Sequence, residues 1–246
     1  MRLRRLRTAA ANAHRMRMHS GFLSKTECTW CATGWGGAAA GEIASTLAVD
    51  EMLRLLGSRQ ATGNGTGNGA GSGPIPIEEA ISQANEAIFS RSQRNVKLSG
   101  MGTTLVGLLA DERQVRVLNV GDSRCYRMRG HNLEQITVDH SLVEEQVRMG
   151  RMTRMEALRS PLRNVITRAL GTQNRVTPDI FELEAEPGDL FLLCSDGLTR
   201  ELNDGMIESL LEIDLPLDAL CARLVEAAKK AGGSDNITCI LVRASG

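Results

Sequence analysis

The chain has 246 residues, in which 29 lysines and arginines balance 29 aspartates and glutamates for a formal net charge of zero. That balance argues against a nucleic-acid partner, which draws on a basic surplus, and no apolar run is long enough to cross a bilayer. Six cysteines scattered over this length make no disulfide framework, so a reducing cytoplasm suits them. The length fits one large domain. Charge is uneven at the start: Met1 to Thr26 contains no acidic residue, while Arg2, Arg4, Arg5, Arg7, Arg15, Arg17 and Lys25 are basic, the composition of a transit peptide.

Taken in chain order, Gly41 to Leu56 predicts a helix, because Ile43, Leu47, Met52, Leu53 and Leu56 recur at roughly helical spacing. The Gly/Asn-rich stretch at 57–73 buries nothing and predicts a flexible loop. Pro76 opens a second helix to about Arg94, with Ala80, Ile81, Ala84 and Ile88 on one face. Thr103 to Ala110 is almost wholly apolar, as a strand covered on both faces would be. Gln114 to Val120 alternates, and Asp111-Glu112 reads as the hairpin turn between these runs. Further strands are expected at Cys125 to Arg129 and Leu133 to Val138, on either side of Gly130-His131-Asn132. Ser141 to Met149 and Thr153 to Leu158 predict short helices flanking Gly150. Glu186-Pro187-Gly188-Asp189 turns into the strand Leu190 to Cys194. Leu217 to Lys230 is an amphipathic helix closed by Gly232-Gly233, and Ile237 to Val242 is a last strand. Helices grouped around consecutive strands give an α+β fold rich in antiparallel pairing.

Three aspartates fall where apolar strands stop: Asp122 in Gly121-Asp122-Ser123-Arg124, Asp196 in Cys194-Ser195-Asp196-Gly197, and Asp235 in Gly232-Gly233-Ser234-Asp235-Asn236. A carboxylate held rigidly at a strand end suits a hard divalent cation. Any one of them alone fits a turn cap equally well.

The strings in order are more specific. Met101-Gly102-Thr103-Thr104, Val120-Gly121-Asp122-Ser123-Arg124-Cys125-Tyr126 and Thr137-Val138-Asp139-His140-Ser141 are followed by Arg163-Asn164-Val165-Ile166-Thr167-Arg168-Ala169-Leu170-Gly171. Pro187-Gly188-Asp189, Cys194-Ser195-Asp196-Gly197-Leu198-Thr199 and Gly233-Ser234-Asp235-Asn236-Ile237-Thr238 complete the series. From about Gly36 to Val242 this resembles the bacterial branch of the PP2C (PPM) family of metal-dependent protein serine/threonine phosphatases. The resemblance implies an α-β-β-α sandwich with two central antiparallel sheets. It also implies a centre of two Mn²⁺ or Mg²⁺ ions whose water attacks phosphorus. On that basis Asp196 and Asp235 are metal ligands, and Asp122 with Asp196 holds a third, weaker ion. Residues 141–162 correspond to the family's mobile flap, and His140 and Ser123 to structural hydrogen bonding. Phosphorylated proteins and a cognate Ser/Thr kinase are the implied partners.

The resemblance breaks in residues 1–35. The family's phosphate-gripping arginine, acidic pair and Asp-Gly-Met-Gly-Gly motif fall at Arg15, His19-Ser20 and Thr33-Gly34-Trp35-Gly36-Gly37. A threonine cannot bridge two cations as a carboxylate does, and histidine is a poor ligand for Mg²⁺. Two readings stay open: a pseudophosphatase acting as a phosphoprotein- or kinase-binding module, or a displaced reading frame before about Gly36. Ala32 to Gly36 written as GCG ACG GGA TGG GGG and read from the third base gives GAC GGG ATG GGG, which is Asp-Gly-Met-Gly. The lone Cys28-x-x-Cys31 pair lacks the second pair that a zinc site needs, with only His14 and His19 nearby. Without alternation, the segment before residue 20 is expected to be disordered or poorly packed.

Overall fold

In the computed structural model the described residues are 5–12, 20–22, 27–35, 38–57, 76–110 and 114–245. Their elements run β1 (Arg5–Asn12), β2 (Ser20–Phe22), β3 (Glu27–Cys31), β4 (Gly34–Trp35), α1 (Ala38–Gly57) and α2 (Ile77–Arg94). Then come β5 (Gly102–Thr103), β6 (Leu105–Ala110), β7 (Gln114–Val120), β8 (Arg124–Arg129), β9 (Asn132–Gln135), α3 (Leu142–Arg148) and α4 (Arg154–Arg159). The chain ends with β10 (Asp179–Glu184), β11 (Leu190–Cys194), α5 (Asp196–Thr199), α6 (Asp204–Leu211), α7 (Leu217–Ala231) and β12 (Thr238–Ser245).

Two five-stranded antiparallel sheets result, ordered β1-β12-β11-β8-β9 and β10-β7-β6-β3-β2, with β4-β5 as a small separate pair. Side-chain alternation sorts each central strand between two apolar layers. In β6, Leu105 and Leu109 pack with Ala44, Met52, Ile81 and Ile88 of α1 and α2, while Val106, Leu108 and Ala110 face the other sheet. In β11, Leu190, Leu192 and Cys194 meet Leu220, Leu224 and Ala228 of α7, whereas Phe191 and Leu193 enter the inter-sheet core. In β12, Cys239 and Leu241 face α7, and Ile240, Val242 and Ala244 face inward. The expected α-β-β-α sandwich is therefore present.

The expected helices and strands are present with ends shifted by a few residues, and β9 is shorter than the run to Val138 suggested. Six elements were not anticipated: β1, β2, β4, β10, α5 and α6. The expectation of disorder before residue 20 does not hold at Arg5–Asn12, which pair with β12 from Arg5↔Ser245 to Asn12↔Thr238. Strand pairing uses backbone N–H and C=O groups that every non-proline residue carries, so an edge strand forms without an alternating pattern. Nearby, Glu27–Cys31 pair as β3 against β6, with Cys31 opposite Val106. Beyond Gly57, the low-complexity loop lies outside the described residues, as does the Asp111-Glu112 turn. No helix among the described residues is long and apolar enough to cross a membrane.

Phe191 is fully buried between the sheets. Phe191→Ala should destabilise the domain by about 3–5 kcal/mol, the range for deleting a buried aromatic ring, read from the guanidinium unfolding midpoint at unchanged slope.

Candidate active site

The polar residues that the core excludes gather at one end of the sandwich, where β3, β7 and β11 stop and β12 begins. There a cleft of about 370 Å³ is lined by Thr33, Gly34, Trp35, Thr104, Asp122, Asn164, Ile166, Asp196, Arg200, Asp235 and Asn236. A second hollow of about 450 Å³, between Leu47 and the C-terminal end of α2 near Arg94, contains no carboxylate, imidazole or thiol.

Short polar links hold the cleft together. The Thr33 N–H donates to Thr104 Oγ1 at 3.2 Å, and the Thr104 N–H donates to the Thr33 carbonyl at 2.9 Å. Thr104 Oγ1 lies 2.8 Å from Ser123 Oγ, tying the ends of β3, β6 and β7 into one unit. Gly121, with φ of 115°, lets the chain turn toward Asp122; a Cβ there would sit 2.5 Å from Thr104 Cγ2. On the opposite sheet, Ser195 Oγ donates to the Asn236 carbonyl at 3.1 Å and accepts from the Thr238 N–H at 3.0 Å. Gly197 permits that approach, since a Cβ would lie 2.3 Å from the Asn236 oxygen. Asp196 and Asp235 are thereby brought to the same side of the cleft.

Both carboxylates converge on one cationic group. Arg200 Nη1 lies 2.9 Å from Asp235 Oδ2, and Arg200 Nη2 pairs with Asp196 Oδ2. Asp122 is 7% exposed. Burial, then the negative charges of Asp196 and Asp139, push its carboxyl up to about 7. Burial pushes Asp196 up as well, against the pull of Arg200 and with the charge of Asp235 adding to it. The cleft therefore holds more negative charge than Arg200 neutralises, the condition under which a cation is favoured.

The donors are oxygen ligands, which suit Mg²⁺ and Mn²⁺. Arg200 marks a point that the Asp196 and Asp235 carboxylates already share, so the residues fit one cation there. Fit to a bridged pair is poorer. Thr33, at the position of the expected bridge, offers a buried hydroxyl with no hydrogen-bond partner among the described residues. No three histidine, cysteine or carboxylate groups among the described residues form a closed cage as they stand.

Residues 17–242 match the family described as protein phosphatase 2C. The serine/threonine phosphatase stp of Listeria monocytogenes is 37% identical over 211 residues, covering 86% of this chain and 82% of the relative. The chain belongs to the protein phosphatase 2C family. The Mycobacterium tuberculosis serine/threonine protein phosphatase PstP is 36% identical over 85% of this chain and 39% of the relative's own length. Among solved structures, Staphylococcus aureus Stp1 superposes with a TM-score of 0.85 at 32% identity, covering 98% of this chain and 96% of that one. The PstP catalytic domain in complex with two manganese ions gives 0.79 at 32% identity, covering 98% and 99%. Metal dependence is thus a property of the family.

Within this phosphatase 2C fold, Asp122, Asp196 and Asp235 line one cleft. Arg15 lies outside the described residues, as does His19. Cys31 is buried and its thiol is pushed up to about 12, first by burial. Arg200, Asn164, Trp35, Ile166 and Asn236 were not singled out from the sequence. Arg200 carried a readable signal, standing four residues after Asp196 on a short helix; the others had none. His140 is held on both ring nitrogens: Nδ1 accepts from the Gly121 N–H at 3.0 Å, and Nε2 faces Asp179 Oδ2 at 3.1 Å and Arg168 Nη1 at 3.0 Å.

Burial holds the His140 pKa below its ordinary value, so the unfolded chain binds a proton more readily than the folded one. This contribution to stability is complete above the ordinary histidine range and is lost as pH falls through the depressed folded value. Melting temperature should drop below about pH 6.5, and His140→Gln should flatten that drop in a melting series run from pH 8 to 5.5.

Proposed function

We propose that this chain is a protein serine/threonine phosphatase whose attacking group is water. The observation that carries the reading is the convergence of Asp196 and Asp235 on one cationic point beside Asp122, at the strand ends of a phosphatase 2C sandwich. The Listeria and Mycobacterium relatives are named as serine/threonine phosphatases, and their identity to this chain supports carrying the activity over.

The protein's side chains favour water over a covalent route. Cys31, Cys125, Cys194, Cys221 and Cys239 are buried, and burial pushes the Cys125 and Cys194 thiols up, so these five offer no exposed nucleophile. His140 spends both ring nitrogens on Gly121 and on the Asp179–Arg168 pair, leaving none for a serine. Asp196, Asp235 and Asp122 would hold Mn²⁺ or Mg²⁺, which supplies a water of lowered pKa and positive charge against the phosphoryl oxygens. Around that point Arg200 offers a planar donor fork suited to phosphoryl oxygens. Asn164 and Asn236 supply neutral polar groups, and Trp35 and Ile166 supply apolar lining.

Phosphorylated proteins opposed by a cognate kinase are the proposed partners, and the cytoplasm is the proposed compartment, supported by five buried free cysteines. For residues 1–35 we infer a displaced reading frame, leaving 36–246 as the phosphatase domain with its loop at 57–73 and flap at 141–162. Sequencing the DNA across codons 1–42 should reveal Asp-Gly-Met-Gly in the shifted frame; a printed frame with no such alternative sinks the inference.

The activity test uses p-nitrophenyl phosphate and a phosphothreonine peptide with Mn²⁺, then with excess chelator. Phosphate release that chelator abolishes is expected, and no release under any metal condition from either this chain or its Thr33→Asp variant would refute the phosphatase reading. Thr33→Asp should raise turnover at limiting Mn²⁺ by at least about ten-fold, the scale on which changes around a metal site act.

A further inference from the structure

Asp196 and Asp235 reach the cleft from unlike settings. Asp196 opens α5, and the turn that follows is firmly seated. Leu198 and Leu202 are buried in the apolar layer that also holds Leu224 and Ala228 of α7. The Arg200 N–H donates to the Asp196 carbonyl at 2.8 Å, and the Leu202 N–H to the Leu198 carbonyl at 3.0 Å. Asp235 rides instead on the connection between α7 and β12, where Gly232, Gly233, Ser234 and Asp235 are all exposed. No core contact fixes that stretch, so its distance from Asp196 depends on polar links to its neighbours. Ser195 Oγ supplies one after Asp235, by donating to the Asn236 carbonyl at 3.1 Å.

Two consecutive residues after α5 supply the others. Arg200 Nη1 lies 2.9 Å from Asp235 Oδ2. Glu201 Oε1 accepts from the Ser234 N–H at 3.0 Å and from the Ser234 hydroxyl at 2.6 Å. The other oxygen of the same carboxylate rests against Gly232, where a Cβ would lie 2.4 Å from Oε2. Hydrogen bonds from Ser234 hold the Glu201 carboxyl below the usual range, and the charges of Arg163 and Arg200 add to that. Glu201 is thus an ionised and strong acceptor at neutral pH.

The Arg200 and Glu201 links differ in what a cation does to them. Arg200 occupies oxygens of Asp196 and Asp235 that a cation held between these carboxylates needs, so ion and guanidinium compete. Glu201 touches neither aspartate and holds the loop by Ser234, one residue before Asp235, leaving both carboxylates open. Groups that hold an ion must stay within about 0.5 Å of their working geometry, and a loop without core contacts does not meet that demand unaided. We propose that Glu201, acting through Ser234, is a positioning residue that keeps Asp235 in place against Asp196 when a divalent cation displaces Arg200. This deepens the phosphatase reading and rests on it for Asp196 and Asp235 as cation ligands.

Isothermal titration calorimetry with Mn²⁺, which needs no turnover, tests this on the full chain and on its Thr33→Asp variant. In each background Glu201→Ala should weaken Mn²⁺ binding about ten-fold or more, the scale for residues that orient metal ligands. Glu201→Gln should restore the parental affinity, because its amide oxygen accepts the same two bonds from Ser234. Ser234→Ala removes the hydroxyl bond alone and should weaken binding about three-fold, as the loss of one exposed hydrogen bond implies. Added to Glu201→Ala it should cost nothing more, since the two residues act as one link. An equal loss in Glu201→Gln and Glu201→Ala overturns the proposal, because the carboxylate would then act by its charge alone. Parental affinity in Glu201→Ala overturns it too. Should circular dichroism show Glu201→Ala unfolded, parental affinity in Ser234→Ala decides against the proposal and a loss there decides for it. Absence of Mn²⁺ binding in both backgrounds overturns it together with the cation site. The expected series of affinities without phosphate release from any substrate would keep the role of Glu201 and refute the phosphatase reading.

Discussion

Each central strand of this protein has two apolar faces and therefore no face on which to carry chemistry. Leu105 and Leu109 belong to one layer and Val106 and Leu108 to another, and the same division runs through β7, β11 and β12. An uncompensated charge anywhere along these strands would sit in a dry interior at a cost of several kcal/mol. Polar residues are consequently driven to the strand ends. The cleft is the place where four such ends, one from β3, one from β7, one from β11 and one from β12, open at the same edge of the sandwich.

That placement sets the electrostatics. Asp122 and Asp196 are partly withdrawn from water yet near other negative groups, so each ionises less readily than a free carboxylate. Arg200 relieves part of the repulsion by spanning Asp196 and Asp235. A guanidinium is a large, single positive charge, whereas a divalent cation is compact and doubly charged, so the same carboxylates interact more strongly with the cation once it sheds its water. Arg200 is then free to offer its donors elsewhere in the cleft. The neighbouring Arg124–Asp139 pair is different in kind: Asp139 accepts from Arg124 at 2.7 to 3.1 Å and its charge is already matched. It stiffens the base of β8 and leaves the shortage of positive charge confined to the cleft itself.

Much of this was legible in the residues. Unbroken apolar runs such as Leu190 to Cys194 announce strands covered on both sides, and the aspartates that end them announce where polarity resumes. The misses share a cause. Asp179–Glu184 is an edge strand with four of its six residues only partly buried and the other two exposed, so its alternation of charged and apolar residues competes with the pattern of a surface turn. Asp204–Leu211 is a short helix whose start depends on the Asn203 cap, which accepts from the Met206 N–H at 3.0 Å. Trp35, Asn164 and Ile166 reach the cleft only because distant loops fold together, and no local spacing encodes that meeting.

Arg5–Asn12 and Glu27–Cys31 show why an atypical sequence at the start of the chain is compatible with the family's architecture. Both strands are held by backbone pairing, β1 to β12 and β3 to β6, and that pairing is indifferent to which side chains ride on it. The register of β3 fixes the position of residue 33, and the reciprocal hydrogen bonds with Thr104 hold its backbone whether the side chain is a hydroxyl or a carboxylate. The fold therefore fixes the backbone at the position where the resemblance expects a bridging carboxylate, independently of the residue found there. What Thr33 changes is the charge available at that location, so architecture and metal affinity are separable properties of this N-terminal segment.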